Sequence, residues 1–384
     1  MGFDRTGSSQ QQHLGGFSVR GVPPEWAEAP CQHLLQPLGL ADLTESVVAE
    51  PHADEGDAHW ALRLSGERAA QWAPEGNTLD LASVLQLRPD DDADLAREIV
   101  LALLLSPIRV EFPSPAEFHS AVRIRMNIVR ASRKTMLAFH TSQAERPADC
   151  WRYDEDFGFV IQPQASLIHA LIKATQPDDS GQLYDFSCYR ASEYVIVLGI
   201  AQELERCNPE LLERLQTLWK ERPIKSGAFH DVFLRELGSM EAPVPPRYFV
   251  PGDRVWFRNP DEASADASGF EGSWVLYLGG GLFSNFWDRD KPYTLTEKCL
   301  EVYHWRHAVY VDEEGEPRID ECKVAARVEA SLQDADEVQR IVQLMTRYRE
   351  PRGVYTEAGG CMDTTREWTR WVQPETSDMV LPSH

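Results

Sequence analysis

Apolar residues recur with helical spacing in several segments between residues 95 and 220, after a mixed pattern at 22–106. Two of the predicted helices begin at recognisable start signals: an acidic run at 90–94 precedes one, and Ser114 followed by Pro115 opens another. A run at 60–64 alternates apolar and polar residues, as a strand does. The pattern predicts helices at 95–105, 115–139, 164–175, 188–204 and 209–219.

The spacing of apolar residues changes from helical to alternating after residue 250. Segments 254–258 and 274–279 are predicted strands, and 300–311 and 318–328 are predicted to form a hairpin around a turn at 312–315. A last helix is predicted at 336–349. Helices followed by antiparallel strands favour an α+β fold.

Cys188 lies where a polar, aromatic-flanked loop enters the most apolar of the predicted helices. Unpaired backbone N–H groups at a helix start stabilise a thiolate, so this position favours a nucleophilic cysteine. The alternative is that the thiol only packs in the core, because free cysteine is among the most buried residue types.

The charge balance argues against some classes of partner. The chain has 38 Lys and Arg against 61 Asp and Glu, a net charge of −23, and this negative field repels nucleic acid and anionic membranes. The seven cysteines are irregularly spaced and form no C-x-x-C pair, so we expect neither disulfides nor a metal, and no motif implies a cofactor. No secretory signal or membrane-spanning run is evident. We therefore expect a cytoplasmic protein, with delivery by a dedicated secretion system left open.

Five separate segments resemble the protein-glutamine γ-glutamyltransferases (transglutaminases) of the bacterial spore-coat type, in the same order and with similar spacing. These segments are IRMNIV at 124–129, CWR at 150–152, YDFSC at 184–188, PGDRVWFRNP at 251–260 and FEGSWVLYLG at 270–279. The resemblance implies a papain-like or transglutaminase-like core with helices before an antiparallel sheet, and Cys188 falls on the nucleophile of that family. We divide the chain into a flexible leader at 1–21, an accessory N-terminal region at 22–106, a transglutaminase-like catalytic domain at 107–372 and a flexible tail at 373–384.

The chain departs from the family at the expected partners of the cysteine. Ser187 stands where the family usually has a glutamate, Ser273 falls at the catalytic glutamate, and Phe286 falls at the histidine. Either the site is inactive or other residues replace these partners.

The predicted hairpin supplies replacement candidates. On a strand, His307 shares the apolar face of 303–311, and Asp320 lies opposite it within about one residue. This pair predicts a base and the carboxylate that orients it. Glu271 is a second candidate, because on a strand it shares a face with Ser273, and His304 is a further candidate on the solvent-facing side.

The resemblance implies a cysteine acyltransferase whose substrate is a protein glutamine side chain. A thioester on Cys188 would pass to a lysine amine or to water, giving a crosslink or deamidation, and Trp256 and Trp274 would line the substrate site. The acidic chain suits a basic protein partner. A papain-like peptidase or deamidase effector or toxin and a catalytically inactive binding module remain alternatives.

Overall fold

The computed structural model describes residues 15–54, 57–138, 145–350 and 359–382. The first part of the chain forms β1 (Phe17–Val19), α1 (Pro30–Leu35), β2 (Val47–Asp54), β3 (Asp57–Leu64), α2 (Gly66–Trp72), α3 (Leu81–Leu85), α4 (Asp92–Leu104) and β4 (Val110–Phe112). The middle part forms α5 (Pro115–Lys134), β5 (Trp151–Asp154), β6 (Gly158–Ile161), α6 (Leu167–Thr175), α7 (Cys188–Cys207), α8 (Pro209–Glu221), α9 (Gly227–Phe233) and β7 (Leu234–Leu237). The last part forms β8 (Arg254–Arg258), α10 (Glu262–Ala265), β9 (Gly272–Gly279), β10 (Leu282–Phe283), β11 (Tyr293–Thr294), α11 (Leu295–Trp305), β12 (Val309–Val311), β13 (Pro317–Ile319), α12 (Glu321–Ser331), α13 (Ala335–Met345) and β14 (Arg366–Thr369).

Two four-stranded sheets flank the helices, with strand orders β2-β3-β1-β4 and β11-β10-β9-β8. In the second sheet β8 and β9 are antiparallel, as the sequence predicts. Mixed helices and sheets agree with the expected α+β class. Among the described residues, none of the helices has both the length and the apolar character that crossing a membrane requires.

Helix α7 is the most enclosed helix of the middle part, because the whole stretch 191–201 is buried. It packs against α5, α6, α8 and β9. Gly199 permits the close crossing with α5: a Cβ at this position would lie 2.6 Å from Ile128 Cγ1 and 3.0 Å from the Ile128 nitrogen. A side chain there would force the helices apart.

Two of the segments that carry the family resemblance meet in the core. Arg125 Nη1 donates to Asp253 Oδ1 at 2.7 Å, and both side chains are buried. Gly252 has φ +93°, and a Cβ on it would lie 3.1 Å from the Arg125 Cα. The pair thus joins α5 to the turn that precedes β8, and it explains why Arg and Gly-Asp occur in these segments.

The N-terminal region shares a hydrophobic core with the helices that follow it. Residues of β1, α4 and α5 belong to one buried cluster, which crosses the predicted boundary between 106 and 107. The N-terminal part of the predicted leader lies outside the described residues, but Phe17 and Val19 are fully buried in β1. The leader predicted at 1–21 is therefore too long, because β1 pairs with both β3 and β4.

The C-terminal tail predicted to be flexible instead contacts the start of α5. The Gln373 backbone N–H and the Thr376 hydroxyl each donate to Glu117 Oε1 at 2.7 Å. Glu117 is buried in the first turn of α5, so these donors satisfy its carboxylate.

The hairpin predicted at 300–328 is wrong over most of its length. Its first arm is largely α11, and only β12 and β13 pair, over three residues each. A capping box starts α11: Thr294 Oγ1 accepts from the Glu297 N–H at 3.2 Å, and Glu297 Oε2 accepts from the Thr294 N–H at 2.8 Å. The second arm becomes α12, which Asp320 caps.

Candidate active site

Cys188 is the first residue of α7, as the sequence predicts. Ser187 is the N-cap, and its hydroxyl accepts from the Arg190 N–H at 3.3 Å. The Cys188 side chain is partly buried, whereas that of Ser187 is exposed. The thiol therefore lies at the positive end of a buried helix with an opening to solvent beside it.

Opposing influences act on the Cys188 sulfur. Burial raises the pKa of the Cys188 thiol above its ordinary value, and it is the largest effect. The nearby backbone N–H groups of Trp274 and Tyr189 and the Lys298 ammonium lower this pKa, while the Glu271 carboxylate raises it. Because the net shift is upward, the thiol is protonated at neutral pH and needs a base to become a nucleophile.

Trp256 and Trp274 are cross-strand neighbours on β8 and β9, and their rings stack with centroids 5.5 Å apart. The Trp274 ring also meets the Tyr189 ring edge-on at 5.5 Å, next to Cys188. The two tryptophans line a cavity of about 220 Å³. The substrate-binding role of Trp256 and Trp274 stays a prediction, and the cavity that they line is the place where a substrate would bind.

A buried charge cluster supports the two tryptophans. The Arg254 guanidinium lies 4.4 Å from the centre of the Trp274 ring and forms a two-pronged ion pair with Glu367. Arg254 is only 4% exposed, and its Nη1 has no hydrogen-bond partner among the described residues. The guanidinium therefore fixes the ring that forms one wall of the cavity.

The predicted pairing of His307 with Cys188 is not present. His307 follows α11 in a turn, and its Nδ1 lies 3.0 Å from Nδ1 of His304. His304, expected on the solvent side, is buried, and its Nε2 lies 2.8 Å from the Ser331 hydroxyl. Burial lowers the pKa of His304 to about 4 and also lowers the pKa of His307. Within the described part of the chain, no hydrogen bond or ring contact joins either imidazole to Cys188.

Asp320 also serves another purpose than predicted. Its N–H donates to the Ala308 carbonyl at 3.0 Å, so the hairpin register was predicted to within one residue. However, its carboxylate caps α12 by accepting from the Lys323 N–H at 3.0 Å, and the residue is exposed. It does not orient an imidazole, because the strand ends one residue before it.

Comparison with known proteins identifies the family. A family model described as protein-glutamine gamma-glutamyltransferase matches residues 79–380, most of the chain. The chain belongs to this family. A comparison with curated protein sequences gives no match. Among solved structures, a transglutaminase from Geobacillus stearothermophilus (without C-terminal extension) is similar, with 20% identity over 56% of this chain and 98% of that chain and a TM-score of 0.39.

Membership in the protein-glutamine gamma-glutamyltransferase family assigns the general class of activity, acyl transfer from protein glutamine, and implies protein substrates. The match begins at residue 79, inside the predicted accessory region. The buried Glu98 of α4 accepts hydrogen bonds from the Tyr277 hydroxyl and the Gly280 N–H. Helix α4 therefore lies within the region that the family model matches, and it also contacts the end of β9 in that region.

The three residues that depart from the family pattern, Ser187, Ser273 and Phe286, have different structural roles. Ser187 is occupied as the cap of α7, and Ser273 pairs with Phe257 across the sheet. Phe286 is buried in the same apolar cluster as α7, and its carbonyl accepts from the Leu137 N–H at 2.7 Å. An imidazole in place of Phe286 would lose this apolar packing, so Phe286 serves as a core residue in this chain.

Two groups near the sulfur were missed by the sequence analysis. Lys298 is 2% exposed, donates to Glu301 Oε2 at 2.7 Å and lies 3.5 Å from the centre of the Tyr293 ring. Its only sequence signal is a lysine on the buried side of α11. The Trp274 N–H is a backbone group, which no side-chain motif reports. All seven cysteines are free, and the described residues contain no cluster of three or more His, Cys, Asp or Glu suited to a metal ion.

Proposed function

We propose that this protein is a cysteine-dependent acyltransferase that forms a thioester between Cys188 and a glutamine side chain of a protein. The observation that carries the proposal is the position of Cys188 at the start of buried helix α7, with the backbone N–H groups of Trp274 and Tyr189 near enough to lower the pKa of its thiol. The same N–H groups are suited to stabilise the oxyanion of a tetrahedral intermediate. Such stabilisation typically lowers a barrier by about 3 kcal/mol.

Glu271 is the proposed base in place of His307 and Asp320. Its carboxylate is close enough to raise the pKa of the Cys188 thiol, and the residue is exposed on the loop before β9. Lys298 acts in the opposite direction and stabilises the thiolate. Together they provide a proton acceptor and a countercharge without an imidazole.

The reaction balances with these groups. Glu271 takes the thiol proton, the sulfur attacks the carboxamide carbon, and the carbonyl electrons move to oxygen. When the C–N bond breaks, the proton passes from Glu271 to the leaving nitrogen, and ammonia departs. An uncharged lysine amine then attacks the thioester, forms the amide bond and returns its proton through Glu271 to the sulfur.

An acidic groove of about 470 Å³ favours a lysine-rich acceptor protein. Its walls combine apolar side chains with four carboxylates and one lysine. The charged residues are Glu297, Glu301, Glu321, Glu329 and Lys291. Two wall residues adjoin groups that act on Cys188: Phe270 precedes Glu271, and Glu301 binds Lys298. Opposite charge attracts lysine side chains to this groove.

The test is incorporation of a fluorescent primary amine into a glutamine-containing protein such as casein. We expect wild-type protein and the exposed-cysteine control C322A to label it, and C188A to fail. Mass spectrometry distinguishes amine incorporation from deamidation and from peptide-bond cleavage. Labelling that persists in C188A, or cleavage without labelling, would overturn the proposal. E271Q should lower the rate by about a hundredfold, the usual contribution of a general base.

A catalytically inactive binding module is the second candidate. The upward shift in the pKa of the Cys188 thiol and the apolar packing of Phe286 at the family's histidine position favour it. A thiol-reactive probe at neutral pH separates the two functions. Because the Glu271 carboxylate raises the pKa of the Cys188 thiol, E271Q should label faster than wild type; if this variant also loses amine incorporation, Glu271 acts as the base of an enzyme. Slow labelling of Cys188 together with no amine incorporation by wild type supports the module.

A further inference from the structure

A cavity of about 340 Å³ with charged and aromatic walls lies on the Ser187 side of Cys188. It is enclosed by the hairpin of β5 and β6, the start of α7 and the segment between α8 and α9. The lining residues that matter here are Arg146, Asp185, Ser187, Arg190, Trp219 and Lys225. This cavity is separate from the one beside Trp256 and Trp274 and from the acidic groove.

Three polar atoms of this lining are buried without a hydrogen-bond partner in the described structure: Arg146 Nε, Asp185 Oδ1 and Trp219 Nε1. Asp185 is 8% exposed and Trp219 is 1% exposed, so both side chains are buried in the wall of the cavity. Buried polar groups in native proteins are nearly always paired. These three groups have hydrogen-bonding capacity left for a polar ligand in the cavity.

The charge of the cavity is opposite to that of the whole chain. Arg146, Arg190 and Lys225 line it against a single carboxylate, Asp185, in a protein of net charge −23. Arg190 is already paired with Glu193. Arg146 packs on the Phe186 ring at 3.3 Å and donates to the Asp185 carbonyl at 2.9 Å, which leaves Lys225 as the main cation for a ligand. Lys225 Nζ donates to the Phe157 carbonyl at 2.7 Å, so its ammonium is held in place and still has protons to donate.

The unpaired atoms define the ligand. Arg146 Nε and Trp219 Nε1 are donors and require an acceptor, whereas Asp185 Oδ1 requires a donor. An acidic residue within a polypeptide offers both, a carboxylate for the cations and a backbone N–H for Asp185. Ser187 lines the cavity and is the chain neighbour of Cys188, so the cavity lies on one side of the thiol, where a residue next to the reactive glutamine would enter.

We propose that this cavity is a specificity subsite that holds an acidic residue next to the reactive glutamine of the donor polypeptide. The proposal rests on the proposed acyl transfer at Cys188. The enzyme would then have two substrate preferences of opposite charge. It would prefer an acidic residue beside the reactive glutamine of the donor and a basic protein as the amine acceptor.

The test measures peptide binding by the full-length C188A protein, which cannot turn over, using tryptophan fluorescence and calorimetry. The probes are capped peptides with one glutamine flanked by glutamate on either side, and matched peptides with glutamine or lysine in place of the glutamate. We expect the glutamate peptide to bind about tenfold more tightly, the usual effect of one charge-assisted hydrogen bond. The added substitution K225Q keeps a donor for Phe157 but removes the charge, and should abolish the preference. The control K323Q removes an exposed lysine of α12 and should leave it intact.

Equal binding of all peptides, or a preference unchanged by K225Q, would overturn the subsite. The proposed function fails separately: loss of amine incorporation is measured on wild type and does not depend on this preference. A preference that is lost in K225Q, in a protein that transfers no acyl group, would support the cavity as a peptide site of a binding module and refute the enzyme.

Discussion

The buried carboxyl of Glu98 makes the stability of this protein depend on pH. Glu98 lies on α4 with no exposed surface, and it accepts hydrogen bonds from the Tyr277 hydroxyl at 3.0 Å and from the Gly280 N–H at 2.9 Å. Burial is the dominant effect and raises the pKa of Glu98 from 4.5 to about 7. Ionisation above this pKa leaves a charge inside the contact between α4 and the end of β9.

The sign and size of the effect follow from proton linkage. Because its folded-state pKa is raised, Glu98 contributes stability that is fully present below pH 4.5 and is lost as the pH rises through 7. A shift of this size corresponds to about 3 kcal/mol in the free energy of unfolding. Glu98→Gln keeps the shape and an acceptor oxygen but removes the charge, so the variant should be more stable than wild type by up to about 3 kcal/mol above pH 7.

Urea unfolding of wild type and E98Q at a series of pH values between 4.5 and 8 measures this difference. We expect similar stabilities at the acidic end and a gap that widens in favour of E98Q as the pH rises. The exposed substitution E213Q on α8 is the control and should show no such widening. A gap that stays constant with pH would refute the reasoning.

Three further substitutions test other parts of the structure. Asp253→Ala leaves the buried Arg125 guanidinium without its carboxylate, and should lower the free energy of unfolding by about 4 kcal/mol in urea titrations. His307→Ala should change the amine-incorporation rate by less than about twofold, since a lost general base would lower it by about a hundredfold or more. Lys298→Met removes a positive charge that lowers the pKa of the Cys188 thiol, so alkylation of Cys188 at pH 8 should become several-fold slower.

Each of these has a control and a contrary outcome. Asp90→Ala removes an exposed ion pair and should cost no more than about 1 kcal/mol; equal losses for the two aspartates would contradict the buried-pair argument. A loss of rate in H307A as large as in C188A would restore the histidine that was first predicted. Unchanged alkylation in K298M, with K323Q as the charge control, would remove Lys298 from the site.

The helices were predictable where the sequence carries a local start signal. Asp91 accepts from two N–H groups at the start of α4, Ser114 and Pro115 open α5, and Cys188 begins α7. In each case the capping residue and the apolar spacing after it agree, so local preference and burial lead to the same element.

The segment at 300–311 was mispredicted because two patterns overlap in it. Tyr303, Trp305 and His307 alternate as on a strand, but Thr294 and Glu297 form a capping box a few residues earlier. The capping box and the burial of the apolar face of α11 outweigh the alternation. Because His307 then lies after a helix instead of on a strand, the predicted catalytic pair with Asp320 was lost with it.

The surroundings of Cys188 were only partly predictable for a different reason. Glu271 could be proposed because the sequence places it two residues before a family position in a predicted strand, although in the structure it lies just before β9. The Trp274 N–H and Lys298 approach the sulfur through tertiary packing, which leaves no local pattern in the sequence. The unpaired atoms of Arg146 and Asp185 are likewise properties of the assembled fold.

The crossing of α5 and α7 at Gly199 has a consequence for how this enzyme tolerates change. Gly199 is eleven residues along α7 from Cys188, about 16 Å at the rise of an α-helix. The close contact at Gly199 sets how near α7 packs to α5. The Cys188 sulfur, at the start of α7, shifts when this packing changes. A mutational scan scored on amine incorporation should therefore find a second intolerant position at Ile128 and Gly199, remote from Cys188, where a single added methyl group would displace the start of α7.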